Sequence, residues 1–340
     1  MDKKILAETV ARLMASPKGI LAIDESIPTC NKRFEKLGII SSEENRRAYR
    51  ELLVTAPNIE KYISGCILFD ETIRQKTIYG KSFVSVLQEK DIDVGIKVDM
   101  GTKDFPPHIG DKITEGLAGL AERLREYKEM GVTFAKWRAI YNIGNETPSE
   151  SCMQANAEIF AEYAYECQSA GIVPIVEPEI LIDGDHTIEE CFRITAKNLD
   201  IIFKTLIAKN IFIPGIILKT SMVISGKEAK VQSKADDVAK MTIKCLMEHV
   251  PKEIGGIVFL SGGQGDDEAT KNLNAMHRYE PLPWTLTFSY GRAIQNKALL
   301  SWAKNPLNVS TSQDLLLAAA KVNSLARMGK YNKLRIINFL

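Results

Sequence analysis

Short apolar runs recur eight times along the chain, each closed by a polar or charged residue. They are residues 19–24 (GILAID), 65–70 (GCILFD), 95–99 (GIKVD), 132–138 (VTFAKWR), 172–177 (IVPIVE), 214–219 (PGIILK), 255–261 (GGIVFLS) and 283–289 (PWTLTFS). Runs of this length predict β-strands. Longer charged segments with helical spacing lie between them. In 115–130, Leu117, Leu120, Leu124 and Tyr127 recur every three or four residues, and 151–170 has the same character. Gly131 and Gly171 stand just past these segments, where a helix C-cap favours glycine. Strand followed by helix, repeated eight times, predicts an α/β fold with a parallel sheet, a single (β/α)8 TIM barrel. A doubly wound sheet in two domains is the competing arrangement. No Pro/Gly/Ser-rich linker, charge block or change of composition marks a boundary, and no G-x-G-x-x-G follows the first run. The expected organisation is one domain over residues 1–340, with a short C-terminal tail from about residue 330.

Composition narrows the function. The chain has 340 residues, 45% of them hydrophobic and 26% charged, with a formal net charge of +1. A near-neutral balance argues against coating nucleic acid, which needs a basic excess. No run approaches the ~18 apolar residues of a membrane span. The first twenty residues mix Asp2, Glu8, Arg12 and Lys18 with short apolar groups. They read as an amphipathic helix and not as a secretory leader, so a cytoplasmic protein is expected. Cysteines at 30, 66, 152, 167, 191 and 245 lack zinc-site spacing and read as reduced, buried thiols. Histidines at 108, 186, 249 and 277 show no paired-ligand spacing, so neither a metal nor another cofactor is expected.

The chemistry lies at the ends of the runs: Asp24, Asp70, Lys97 with Asp99, Lys136 with Arg138, Glu177, Lys219, Ser261 and Ser289. In a barrel these positions are the carboxyl ends of the strands, where active sites form. Alternation puts Lys97 and Asp99 on one face, as it does Lys136 and Arg138, and Glu177 and Glu179. Two ammonium groups roughly 6 Å apart repel by about 3 kcal/mol at an effective dielectric near 20. Burial disfavours the charged amine as well. An amine so treated attacks a carbonyl to form a Schiff base. Asp24, Asp99, Glu177 and Glu179 are the available acids and bases. The residues alone do not choose the nucleophile among Lys97, Lys136 and Lys219.

Two loops suit a phosphate. Ser261-Gly262-Gly263-Gln264-Gly265 follows the seventh run and Ser289-Tyr290-Gly291-Arg292 the eighth. Glycines let backbone N–H groups approach an anion, helix N-termini favour negative charge, and these are the usual phosphate loops of such a barrel. Asp266, Asp267 and Glu268 read as helix N-terminal charges. A second polar and basic group, Ser26, Thr29, Lys32 and Arg33, follows the first run.

At these residues the chain resembles class I fructose-1,6-bisphosphate aldolase, the metal-independent Schiff-base family. The matching segments include GILAIDES (19–26), ISGCILFDETI (63–73), GIKVD (95–99), FAKWR (134–138), PIVEPEIL (174–181), GIILK (215–219), FLSGGQ (259–264) and LTFSYGRAIQ (286–295). The resemblance implies Lys219 as the Schiff-base lysine and Glu177 as the acid/base of carbinolamine dehydration. It implies Lys136 as their electrostatic partner, Asp24 as the base for the C4 hydroxyl, and Glu179 as support. By the same resemblance, Ser261, Gly262, Gly263, Ser289, Gly291 and Arg292 bind the C1 phosphate. Ser26, Thr29, Arg33, Lys97 and Arg138 serve the other end of the substrate. A sugar bisphosphate substrate and a homotetramer follow, with no nucleic-acid or membrane partner. The alternatives are a Schiff-base aldolase for another sugar phosphate, such as sedoheptulose 1,7-bisphosphate, and a non-catalytic scaffold on this fold.

Some text departs from the family pattern: Pro214-Gly215 before the lysine strand, Thr220-Ser221 after it, and MGTKDFPP (100–107). Family members commonly extend well past GKY and often end in a tyrosine that assists proton exchange at the enamine carbon. Here GKY (329–331) leads to NKLRIINFL, ending Phe339-Leu340. A terminal tyrosine is therefore not expected to perform this step. Replacing Tyr331 with Phe should leave detritiation of the enamine carbon within about twofold of wild type. A loss of an order of magnitude would assign that role to Tyr331.

Overall fold

The computed structural model describes residues 2–106 and 108–332. Its barrel strands, in chain order, are β1 (Gly19–Ala22), β2 (Ile63–Leu68), β3 (Asp93–Lys97) and β4 (Phe134–Tyr141). They continue as β5 (Val173–Ile180), β6 (Ile217–Thr220), β7 (Gly256–Phe259) and β8 (Leu286–Tyr290). Each pairs in parallel with the next, and β8 pairs with β1 to close the barrel. This is the (β/α)8 architecture that the alternating pattern predicts. The helical segments form Leu120–Glu129 and Glu150–Ser169, and the glycines beyond them are left-handed, at φ +99° for Gly131 and +67° for Gly171. Leu117 lies ahead of its helix, because the chain turns at the N-cap Gly119.

Two features differ from the pattern. Strands β4 and β5 continue three residues past the predicted ends at Arg138 and Glu177, and every residue of β5 is buried. The departing segment after β3 forms an antiparallel hairpin, Thr102–Asp104 with Lys112–Thr114. Its polar, exposed first strand offers no apolar run to read.

One face of the strands fills the barrel. Ile20, Ala22, Ile67, Phe134, Val173, Ile175, Ile217 and Val258 pack together inside it. The helix Lys3–Leu13 closes this end. Asp2 caps it by accepting from Lys4 N and Ile5 N, and Leu6, Val10 and Leu13 recur at helical spacing to pack on the barrel interior. The last helix, Val309–Arg327, pins the turn that follows. Buried Arg327 donates to the carbonyls of Met14 at 2.6 Å and of Ala15 and Lys18 at 2.5 Å.

Phe134 fits only because β2 and β3 present glycine beside it. A Cβ on Gly95 would lie 2.3 Å from the Phe134 ring, and one on Gly65 at 3.1 Å. Gly95→Ala is expected to destabilise the fold by about 1–3 kcal/mol, the usual cost of overpacking a filled core. Urea unfolding checks this by a lower midpoint at unchanged slope. An unchanged midpoint would show that the interior yields.

Candidate active site

The inward alternation that builds the apolar plug also builds the site. Moving two residues on from Phe134 reaches Lys136 and then Arg138. The same step takes Ile175 to Glu177 and Glu179, Ile217 to Lys219, Ala22 to Asp24, and Gly95 to Lys97 and Asp99. Apolar packing at the level below therefore aims the charged side chains into one cavity. Its volume is about 1120 Å³, and Asp24, Lys97, Asp99, Lys136, Arg138, Glu177, Glu179 and Lys219 all line it.

Lys136 is the hub. Its Nζ lies 2.7 Å from Asp24 Oδ2, 3.2 Å from Glu177 Oε2 and 4.0 Å from Asp99 Oδ2. Burial alone lowers the pKa of this ammonium. The attraction of Asp24, Glu177 and Asp99 outweighs that and holds it well above the ordinary lysine value. Lys136 is therefore a fixed cation. Lys219 Nζ lies 3.0 Å from Glu177 Oε1 and has no second carboxylate within salt-bridge distance among the described residues. The two lysines thus divide the oxygens of one buried carboxylate. Lys97 is tied to Asp99, by its carboxylate at 2.6 Å and its carbonyl at 2.5 Å. Of the three lysines left open by the residues alone, Lys219 is the buried one with a single acid beside it. Burial raises the Asp24 pKa, but Lys136, Lys219 and Lys97 overcome this and bring it down to about 2.

Glu179 bonds to Arg138 Nε, so it orients that guanidinium and does not touch the lysines. Ser26 and Thr29 line the mouth with their hydroxyls 3.1 Å apart, and Lys32 and Arg33 line it beside them. Ser261, Gly262, Ser289, Gly291 and Arg292 are lining residues as well, from the ends of β7 and of β8, the barrel neighbour of β1. Gly262 and Gly263 are both left-handed, at φ +54° and +85°, so the turn requires glycine at two consecutive positions. Gly263 is not among the lining residues, and the position of its missing Cβ faces Lys227 and Ile182. Ser289 Oγ is buried with no hydrogen-bond partner among the described residues, so it stands ready for a ligand. Gly291 caps the helix Arg292–Lys304, whose free N–H groups suit an anion.

Some site residues escaped the sequence reading. Glu25 bonds to both Arg33 and the buried Arg50, and Gln295, deep in the following helix, bonds to Arg33. Neither sits at a strand end. The departing Ser221 joins β6 to β5, accepting from Ile180 N and donating to Ile180 O, both at 3.0 Å. Tyr331 does not line the cavity; its backbone N–H bonds to Asn274 Oδ1 at 2.9 Å. Residues 333–340, with Phe339-Leu340, lie outside the described residues.

An eight-stranded parallel barrel with paired lysines on one buried glutamate, opening onto glycine turns, defines a class: a barrel enzyme built around a lysine amine. A family model for fructose-bisphosphate aldolase class-I matches residues 5–337. A probable fructose-bisphosphate aldolase class 1 of Xanthomonas campestris is 50% identical over 97% of this chain and 99% of its own length. The cytosolic fructose-bisphosphate aldolase 4 of Arabidopsis thaliana is 47% identical over 92% of this chain and 80% of its own length. A solved fructose-bisphosphate aldolase from Plasmodium falciparum, in complex with TRAP and a small-molecule inhibitor, superposes with a TM-score of 0.95. It is 43% identical and covers 97% of this chain and 95% of that one. The chain belongs to the class-I fructose-bisphosphate aldolase family.

The Asp24 environment makes a prediction with a definite sign. Its folded pKa of about 2 lies below the ordinary aspartate value of 3.8, so its stabilisation is complete above the higher value and is lost as pH falls through the lower. The difference corresponds to about 2 kcal/mol. Asp24→Asn should therefore lower unfolding stability by about that amount equally at pH 8 and pH 5. A deficit that already shrinks between those two pH values would contradict this environment for Asp24.

Proposed function

We propose that this enzyme reversibly cleaves fructose 1,6-bisphosphate to dihydroxyacetone phosphate and glyceraldehyde 3-phosphate through a Schiff base on Lys219. The observation that carries the assignment of Lys219 is its approach to Glu177, 3.0 Å away in a buried site where Lys136 is already the fixed cation. Lys219 first passes its ammonium proton to Glu177, 3.0 Å away, and the resulting neutral amine attacks the C2 carbonyl to give a carbinolamine. Glu177, within reach of that nitrogen, donates a proton to the departing hydroxyl, and water leaves with formation of the iminium. Asp24, ionised at neutral pH, accepts the C4 hydroxyl proton. The C3–C4 bond then breaks, its electrons pass to the iminium to form an enamine, and the aldehyde departs. Protonation at C3 and hydrolysis release the ketone and restore the amine. Lys136 holds Asp24 and Glu177 in place and balances their charge throughout.

In this reading the C1 phosphate sits on Ser261, Gly262, Gly263, Ser289, Gly291 and Arg292, with Gly263 acting through its backbone. Ser26, Thr29, Arg33, Lys97 and Arg138 serve the distal end, and Glu179 keeps Arg138 aimed into the mouth. The family likeness supports carrying over a cytoplasmic homotetramer in which residues 1–340 act as one domain.

Trapping tests the mechanism. Incubation with dihydroxyacetone phosphate followed by borohydride should add the reduced adduct to the peptide holding Lys219. Lys219→Met should lose both adduct and cleavage while keeping its circular dichroism spectrum. An adduct on Lys136, or none together with activity that a chelator abolishes, would overturn the assignment.

A further inference from the structure

Gln295 is fully buried in the helix Arg292–Lys304, where three elements meet. Its Oε1 accepts from Arg33 Nη1 at 3.1 Å and from Tyr49 Oη at 2.8 Å, while its Nε2 donates to Ala22 O at 2.5 Å. Only this orientation of the amide works. Turned over, its NH2 would face the Arg33 guanidinium, which only donates, and its oxygen would face another carbonyl.

The consequence falls on Arg33. Its Nη1 carries two hydrogens, and Nη1 donates to both Glu25 and Gln295, which accounts for them. Nη2 makes one long contact, 3.4 Å to Asn296 Oδ1, and Nε makes none among the described residues. The Nε–Nη2 edge is the side of a guanidinium that takes an oxyanion with two parallel hydrogen bonds. Arg33 lines the mouth, so that edge is the part left for a ligand. Charge points the same way. Glu25 is shared with Arg50, whose Nη1 lies 2.7 Å from Glu25 Oε2, so one carboxylate faces two guanidinium groups. A formal positive charge remains at this side of the site.

We propose that Gln295 is a positioning residue for substrate choice. Together with Glu25 it engages Nη1 of Arg33, presents the Nε–Nη2 edge to the distal phosphate, and so sets the preference for a ketose bisphosphate over a ketose 1-phosphate. This rests on the reading of Arg33 as a distal-phosphate ligand. Tyr49 fixes the amide from behind, and Ala22 O anchors it to the strand that leads to Asp24.

The test compares kcat/KM for fructose 1,6-bisphosphate and fructose 1-phosphate, taking their ratio, in wild type, Arg33→Ala, Gln295→Met and the double variant. Gln295→Met keeps the shape of the side chain and removes its polar groups. Arg33→Ala should lower the ratio, and Gln295→Met should lower it about tenfold, the scale of a lost hydrogen bond to a charged group. In the Arg33→Ala background Gln295→Met should not lower it further. Tyr49→Phe, which removes only the hydroxyl behind the amide, should lower the ratio by a smaller factor and serves if Gln295→Met does not fold. A ratio that falls with Arg33→Ala yet is unmoved by Gln295→Met and Tyr49→Phe would overturn the role of Gln295 alone. A ratio that Arg33→Ala leaves unchanged would overturn the reading of Arg33 and this inference with it. Equal further losses from Gln295→Met with and without Arg33 would show a merely structural role.

Discussion

Everything in the mouth of the barrel is arranged around one buried ammonium, that of Lys136. A charge withdrawn from water costs several kcal/mol unless it is met by opposite charge and hydrogen bonds. Asp24, Glu177 and Asp99 meet it here, and each then has a second duty. Glu177 turns its other oxygen to Lys219, Asp99 turns its own to Lys97, and Asp24 is left strongly acidic at the end of β1. Removing any member would leave a buried partner uncompensated, at a cost of several kcal/mol. The catalytic geometry and the local stability are therefore the same set of contacts.

This inner cluster is formally balanced, with three lysines against Asp24, Asp99 and Glu177, while Arg138 is matched by Glu179. Charge for binding phosphate is consequently supplied from outside it. Arg33 and Arg50 share Glu25, Lys32 lines the mouth beside them, and Arg292 starts the helix whose Gln295 and Asn296 meet Arg33. A balanced centre beside a positive margin suits a substrate with a neutral carbonyl and phosphate groups.

The barrel was legible because its eight strands are almost uniformly apolar and close on polar or charged residues. Asp24, Lys97, Lys136, Glu177 and Lys219 stood out for the same reason, as polar side chains in phase with inward-facing apolar ones. The hairpin over 102–114 was not legible, since TKD is exposed and carries no apolar run. The far ends of β4 and β5 were hidden because Glu177 and Glu179 resemble an exit into water, whereas both are buried. The choice of Lys219 over Lys136 also needed three dimensions. It depends on how many carboxylates surround each nitrogen, and these arrive from strands far apart in the chain. Glu25 and Gln295 act through other side chains, so nothing in their local pattern announced them.

The most direct test of this account is the protonation of Lys136 itself. A neutron structure of the deuterated enzyme near neutral pD would reveal it. The account predicts three deuterons on Lys136 Nζ, directed among Asp24, Glu177 and Asp99. A Lys136 nitrogen carrying only two deuterons, with a proton moved onto Asp24 or Glu177, would contradict it.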